Sequence, residues 1–356
     1  MLIYILIILI LGLTYLFRKS LSKKLCNLII IYIYIILSIV GGIRYNVGTD
    51  FELYESIFNR STTIVYSSDF VEAGYLYINQ VLFQLGFSFQ FLLLIVSLFI
   101  NFNFIKGSKK YNDDVLGFLF FFVTTGIYFS SFNIMRQAIV ISVFFLCINL
   151  FINKKYLPFT LIMLSSYLIH RSIIIVLIIV FLCIIKTRIH PLRLFLTGLF
   201  IVLGIINFSN NDLIMKLFFF LPDKYQIYSS SIGNLDGINL INLVLPTIIL
   251  LLIFIFYNKL IIKNNKNFIF IRLFLIYYIL LVFSTKYIDF YRVAAYFEIT
   301  LLVLIPQILD LIKLKEKWFV DLVIVVLFST YIIIKLLLGH YGVVPYDYNT
   351  NFLLNE

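Results

Sequence analysis

CNLIIIYIYIILSIVGG, residues 26–42, followed at once by IRYNVGTDFELYESIF, residues 43–58, decides how the chain is read. The first half carries no charge and shows no alternation of polar with apolar side chains. At 1.5 Å per residue it makes a helix of roughly 25 Å, close to the depth of a hydrocarbon core. The second half places Arg44, Asp50, Glu52, Tyr54 and Glu55 just beyond that helix, around a Gly-Thr-Asp turn. A polar, aromatic-studded loop at a membrane surface is a place for binding or chemistry, with an ordinary solvated loop as the plainer reading.

Working outward, composition excludes a soluble globule. With 62% hydrophobic residues, 13% charged and a mean hydropathy of +1.06, the 356-residue chain lacks the polar surface to cover itself. Apolar runs recur at 1–17, 26–42, 88–105, 115–128, 138–152, 156–169, 173–185, 192–208, 238–257, 268–283, 293–311 and 319–339. The expected fold is all-α, a polytopic transmembrane helical bundle of about 12 spans. Residues 70–87 are apolar but interrupted by Glu72, Asn79, Gln80 and Gln84, which suggests a re-entrant or interfacial helix. Period-two strands of an outer-membrane barrel are absent from the pattern. Cys26, Cys147 and Cys183 lie within apolar runs without CxxC spacing, so neither a disulfide nor a zinc site is expected.

Charge orients the bundle. The first run is followed, not preceded, by its basic residues (Arg18, Lys19, Lys23 and Lys24), which reads as a retained span rather than a secretory signal. Most of the 28 basic residues fall on one set of loops, the pattern of the positive-inside rule, and put both termini outside. The chain is expected to form a single integral membrane domain, with loops 43–69 and 209–237 and tail 340–356 on the outer, site-bearing face. Spreading the +11 net charge over membrane-flanking loops removes the case for nucleic acid. The inner loops favour lysine, whereas the outer span ends carry arginine at Arg44, Arg136, Arg171 and Arg292. Topology needs only a charge, but a guanidinium fork grips phosphate bidentately. Four such forks on one face suit a lipid-linked diphosphate, with snorkelling to phospholipid headgroups as the alternative.

The run RYNVGTDFELY (44–54), Met135-Arg136-Gln137 opening a span, His170-Arg171-Ser172 at a span exit, Tyr291-Arg292 opening another and Pro345-Tyr346 in the tail resemble the EpsG-like branch of Wzy-type polysaccharide polymerases. The resemblance runs in order through nearly the whole chain. It departs at Phe51, where the family more often has tyrosine, and at Arg171, where a small or apolar residue is frequent. It implies a membrane glycosyltransferase related to the GT-C class, in the cytoplasmic (inner) membrane of a bacterium. That enzyme would join undecaprenyl-diphosphate-linked oligosaccharide units into a capsule, exopolysaccharide or O-antigen, without a cofactor. The lipid bilayer, and a flippase and chain-length regulator of the same pathway, are the implied partners. By analogy Arg44, Arg136 and Arg292 are candidate diphosphate or acidic-sugar clamps, with Arg171 either a further clamp or a bystander.

A base for the acceptor hydroxyl is sought among outer residues that titrate or are anionic near neutral pH. His170 leads and Asp50 is second; an interfacial hydrogen-bonding role is the alternative for the histidine. Tyr54 and Tyr291 could stack on sugar faces. Asp50-Phe51-Glu52 has a DxE spacing, but such pairs are common by chance and no metal is expected. HExxH, Walker A and GxSxG motifs are missing. A flippase or polysaccharide transporter without chemistry is the competing reading. It would place ionisable groups at mid-membrane, where only Glu298 and Lys335 fall, and would show repeated halves, which the sequence lacks. A membrane acyltransferase would need its histidine on the other side.

Overall fold

The computed structural model describes residues 1–63, 71–111, 113–183, 241–285, 288–312 and 317–349, together with position 196. The expected eighth span, 192–208, and the loop 209–237 lie outside the described residues apart from that one position. The described regular structure is helical, joined by one isolated antiparallel bridge between Arg44 and Tyr348. Among the described residues fourteen α-helices run in order: α1 Leu2–Phe17, α2 Lys23–Gly42, α3 Phe51–Asn59, α4 Ala73–Gln84, α5 Phe89–Ser108, α6 Val115–Thr124, α7 Ile127–Ser130, α8 Met135–Ile152, α9 Tyr156–Ser166, α10 Ile173–Leu182, α11 Ile241–Lys263, α12 Asn267–Ser284, α13 Asp289–Leu309 and α14 Lys317–Leu337.

The all-helical membrane reading therefore holds. Among the described residues seven helices (α2, α5, α8, α11, α12, α13 and α14) are long and apolar enough to cross a bilayer, while α1, α6, α9 and α10 are apolar but shorter. That is the part of the expected twelve crossings that length and composition support. Helix α4, about 18 Å long, is too short to span. The run 115–128, expected as one span, is broken into α6 and α7. Gly126 adopts φ +101° between them, a left-handed conformation that stops one helix and starts the next.

Contacts divide the chain into two compact units, residues 1–177 with 312–356, and residues 178–311. In the first, α2 lies against α5, and α5 against α8. Close approach is permitted by Gly42, where a Cβ would come within 2.7 Å of the Leu94 Cα. Polar clasps then fix the pairs: Asn101 Nδ2 donates to Ser38 Oγ at 3.1 Å, and Asn103 Nδ2 to Ser142 Oγ at 3.1 Å. Such interhelical bonds contribute about 0.6 kcal/mol each in a bilayer. At one end of this unit Arg18 meets Asp114 at 2.7 Å and Asp321 at 3.2 Å, with Lys19 on Asp321 at 2.9 Å, tying α1, α6 and α14 together. The opposite end holds the loop after α2 and the tail after α14. In the second unit α12 and α13 pack along their lengths, and Lys263 pairs with Asp310 at 2.8 Å.

Candidate functional site

Helix α2 ends at Gly42, and the next residues are fastened by the tail. Tyr45 N donates to Asp347 O at 3.0 Å, Asn349 N to Ile43 O at 2.8 Å and Gly48 N to Gly342 O at 3.0 Å. Tyr4 Oη donates to Val343 O at 3.0 Å, and Tyr346 Oη to Val40 O at 2.9 Å. Gln90 Nε2 donates to the carbonyl of Arg44 at 2.9 Å. The backbone around Arg44 is thus held without help from its side chain, which turns inward.

Arg44 is 3% exposed, and its guanidinium lies over the Phe132 ring, 4.5 Å from the centroid. Tyr4, Tyr54, Tyr128 and Tyr346 surround it, and it lines a pocket with Gly41, Ser97, Asn101, Ser131 and Phe132. Among the described residues no carboxylate is within ion-pair reach of it, and its buried Nε has no hydrogen-bond partner. Burial pushes its pKa down to about 10, against the opposing pull of the tyrosines, so it remains a cation at neutral pH. A buried, charged donor without an acceptor is costly unless something anionic comes to it.

The second group of side chains is assembled by the segments before α4 and after α9. Gly74 N and Tyr75 N donate to Leu168 O at 2.9 and 3.3 Å, so the start of α4 is stitched to the exit of α9. A Cβ on Gly74 would stand 2.8 Å from both Leu168 Cβ and its carbonyl oxygen, so the close approach needs glycine there. This stitching brings Glu72 to His170, with Oε1 3.2 Å from Nδ1. The other carboxylate oxygen, Oε2, accepts from Arg136 Nη1 at the start of α8, and the Arg171 amide lies 3.5 Å from Oε1. Glu72 is 2% exposed. Burial would raise its pKa, but the hydrogen bond with His170 and the Arg136 charge outweigh burial and hold it at about 2. Tyr54 and Tyr75 wall the cluster, their ring centroids 6.0 and 5.8 Å from the Arg136 guanidinium carbon. Both tyrosines also lie in the field of Arg44, which links the two groups electrostatically.

The structure therefore brings together Arg44, Tyr54, Arg136, His170 and the Arg171 backbone within the first unit. Asp50 stands apart: half-buried at the start of α3, it accepts from Thr49 Oγ1 at 3.1 Å, and no ion pair joins it to Arg44 or Arg136 among the described residues. Tyr291 and Arg292 open α13 in the second unit, with Arg292 exposed. Glu72 was not among the expected site residues, although a lone carboxylate in an apolar stretch is itself a signal of function. Among the described residues no group of three or more His, Cys, Asp or Glu side chains could hold a metal ion.

A polytopic helical membrane protein, with an orphan guanidinium and an acid–imidazole–guanidinium cluster at one end of its first unit, is the class these features define. The chain belongs to the EpsG family, whose model matches residues 27–348, a span that includes every side chain of both groups apart from Tyr4. EpsG is a Wzy-like polymerase family. No curated protein and no solved structure matches the chain.

Proposed function

We propose that this protein joins oligosaccharide repeat units carried on undecaprenyl diphosphate into a surface polysaccharide, at the outer face of a bacterial cytoplasmic membrane. The observation that carries the reading is Arg44, buried, cationic and without an acidic partner among the described residues. A substrate diphosphate supplies the missing charge. In the reaction an acceptor-sugar hydroxyl attacks the anomeric carbon of the growing chain, and the lipid diphosphate departs with the bonding electron pair. Negative charge grows on the leaving group, where a guanidinium fixed in a partly dehydrated pocket is most effective. His170 takes the hydroxyl proton. Arg136 belongs with Glu72 rather than acting as a free clamp, and Tyr54 lies where it can stack on a sugar. Asp50 and Arg171 are assigned to the outer rim that receives the acceptor, and Tyr291 and Arg292, in the second unit, remain candidate substrate-binding residues on the family resemblance. The reading assigns loop 43–69 and the tail to the active face, with both termini outside.

Reconstitution of the purified protein with lipid-linked repeat units tests this reading, with product length compared for wild type and Arg44→Lys. Lengthened product from wild type, and short or absent product from the lysine variant, is the expected outcome, because the charge survives and the fork does not. Translocation of labelled units across vesicles without lengthening would establish a flippase instead.

A further inference from the structure

We propose that residues 340–349 form a strap that shuts Arg44 off and must lift before a diphosphate reaches it, so that strap and substrate exclude each other. This role rests on the reading of Arg44 as the diphosphate site and adds a moving part which that reading leaves unnamed.

The closed state is the first observation. Arg44 is 3% exposed, and the cavity beside it has room for about one water molecule, far less than a diphosphate needs. Some part of the wall has to move. On one side the wall is helix against helix: Asn101 of α5 clasps Ser38 of α2, and Gly42 lies too close to Leu94 to admit a Cβ. Five rings surround the guanidinium, and four of them, Tyr4, Tyr54, Tyr128 and Phe132, are buried on α1, α3, α7 and the turn after it. The fifth, Tyr346, is half-buried, between the exposed Pro345 and Asp347. It comes from the strap.

The strap is fastened by hydrogen bonds more than by packing. Within 340–349 only Val343 is buried. The amides of Tyr45 and Gly48 donate to strap carbonyls, and Tyr346 Oη donates to Val40 O. Asn133 clips strap to loop: its Nδ2 donates to Tyr341 O at 2.6 Å while its Oδ1 accepts from Thr49 N at 2.8 Å. Water replaces such bonds as they part, and segments with few buried apolar contacts open at the low end of local stability. Gly339, at φ +77° with open space around it, joins α14 to the strap and gives it a hinge.

The test measures binding of a polyprenyl diphosphate to the full chain in nanodiscs, for wild type, Tyr346→Phe and Asn133→Ala. Either substitution weakens the closed state and leaves Arg44 in place. If the closed state excludes the ligand, the apparent Kd is the intrinsic one divided by the open fraction. One neutral hydrogen bond shifts such an equilibrium by roughly fivefold, so Tyr346→Phe should bind roughly fivefold tighter than wild type. Asn133→Ala, which loses both clips, should bind at least as tightly as Tyr346→Phe. In wild type, saturating diphosphate should speed hydrogen exchange at the Tyr45 and Gly48 amides, whose acceptors leave with the strap. A contact that merely steadies the fold would not tighten binding when lost, so unchanged or weaker binding by the folded variants overturns the strap. If neither variant folds, wild-type exchange decides, and rates at Tyr45 and Gly48 that are unchanged or slowed by ligand overturn it. Absence of binding by wild type refutes the anion site and the strap with it, a failure distinct from these. Binding needs no turnover, so a chain that binds as expected without lengthening product keeps the strap and refutes the polymerase reading.

Discussion

Arg44 is the residue whose loss should separate stability from function. In Arg44→Met the buried charge disappears while an apolar side chain fills much of its space. Burial lowers the guanidinium pKa from 12.5 to about 10, which corresponds to roughly 3 kcal/mol of destabilisation of the charged form. Against this stands the stacking on Phe132, a contact of about 2 kcal/mol when desolvated, and some loss of packing. The loop backbone is anchored by Gln90, Asp347 and Asn349 and does not depend on the side chain. The balance comes to between zero and about 1 kcal/mol of stabilisation. Thermal unfolding in detergent should therefore show Arg44→Met at or above the wild-type Tm, while reconstituted polymerisation is abolished. A variant that unfolds well below wild type, with activity falling only in step with the folded fraction, would show that the guanidinium is a structural element.

Other expectations follow from the same geometry. Glu72 has its folded pKa depressed to about 2, so its contribution is fully present above the ordinary 4.5 and is lost as pH falls towards 2. Roughly 3 kcal/mol of stability should disappear across that window, and Glu72→Gln should flatten it in acid-unfolding curves. Asp321→Asn strips a carboxylate from Arg18 and Lys19 and should cost about 3 kcal/mol in thermal unfolding, leaving the product-length distribution of the folded protein unchanged. Gly126→Ala places a side chain at φ +101° and drives its Cβ into the Tyr341 hydroxyl. It should cost about 1–3 kcal/mol and loosen the tail, read as faster hydrogen exchange over residues 340–349.

What could be read from the sequence was set by periodicity and charge. The stretch 26–42 is helical because its side chains leave a bilayer-deep helix no other choice, and α2 spans Lys23–Gly42. The break in 115–128 was hidden because apolar content continues across it and only the backbone of Gly126 differs. Arg44 was legible as a cation past a span end; that its neighbours would be tyrosines rather than acids depends on Tyr4 and Tyr346, from opposite ends of the chain. Glu72 was seen only as an interruption of an apolar run. Its partners Arg136 and His170 lie 64 and 98 residues away, and only the meeting of Gly74 with Leu168 brings them into reach. For that reason Arg136 was legible only as a candidate clamp, and its ion pair with Glu72 was not.

The most direct test of an anion-receiving Arg44 is ligand-induced stabilisation measured with a polyprenyl diphosphate in detergent, on wild type and Arg44→Met side by side. A ligand at 100 times its Kd stabilises its native partner by about 2.7 kcal/mol. The account predicts a rise in Tm for wild type that is absent in Arg44→Met and absent when the uncharged polyprenol replaces the diphosphate. An equal rise in both proteins would contradict it.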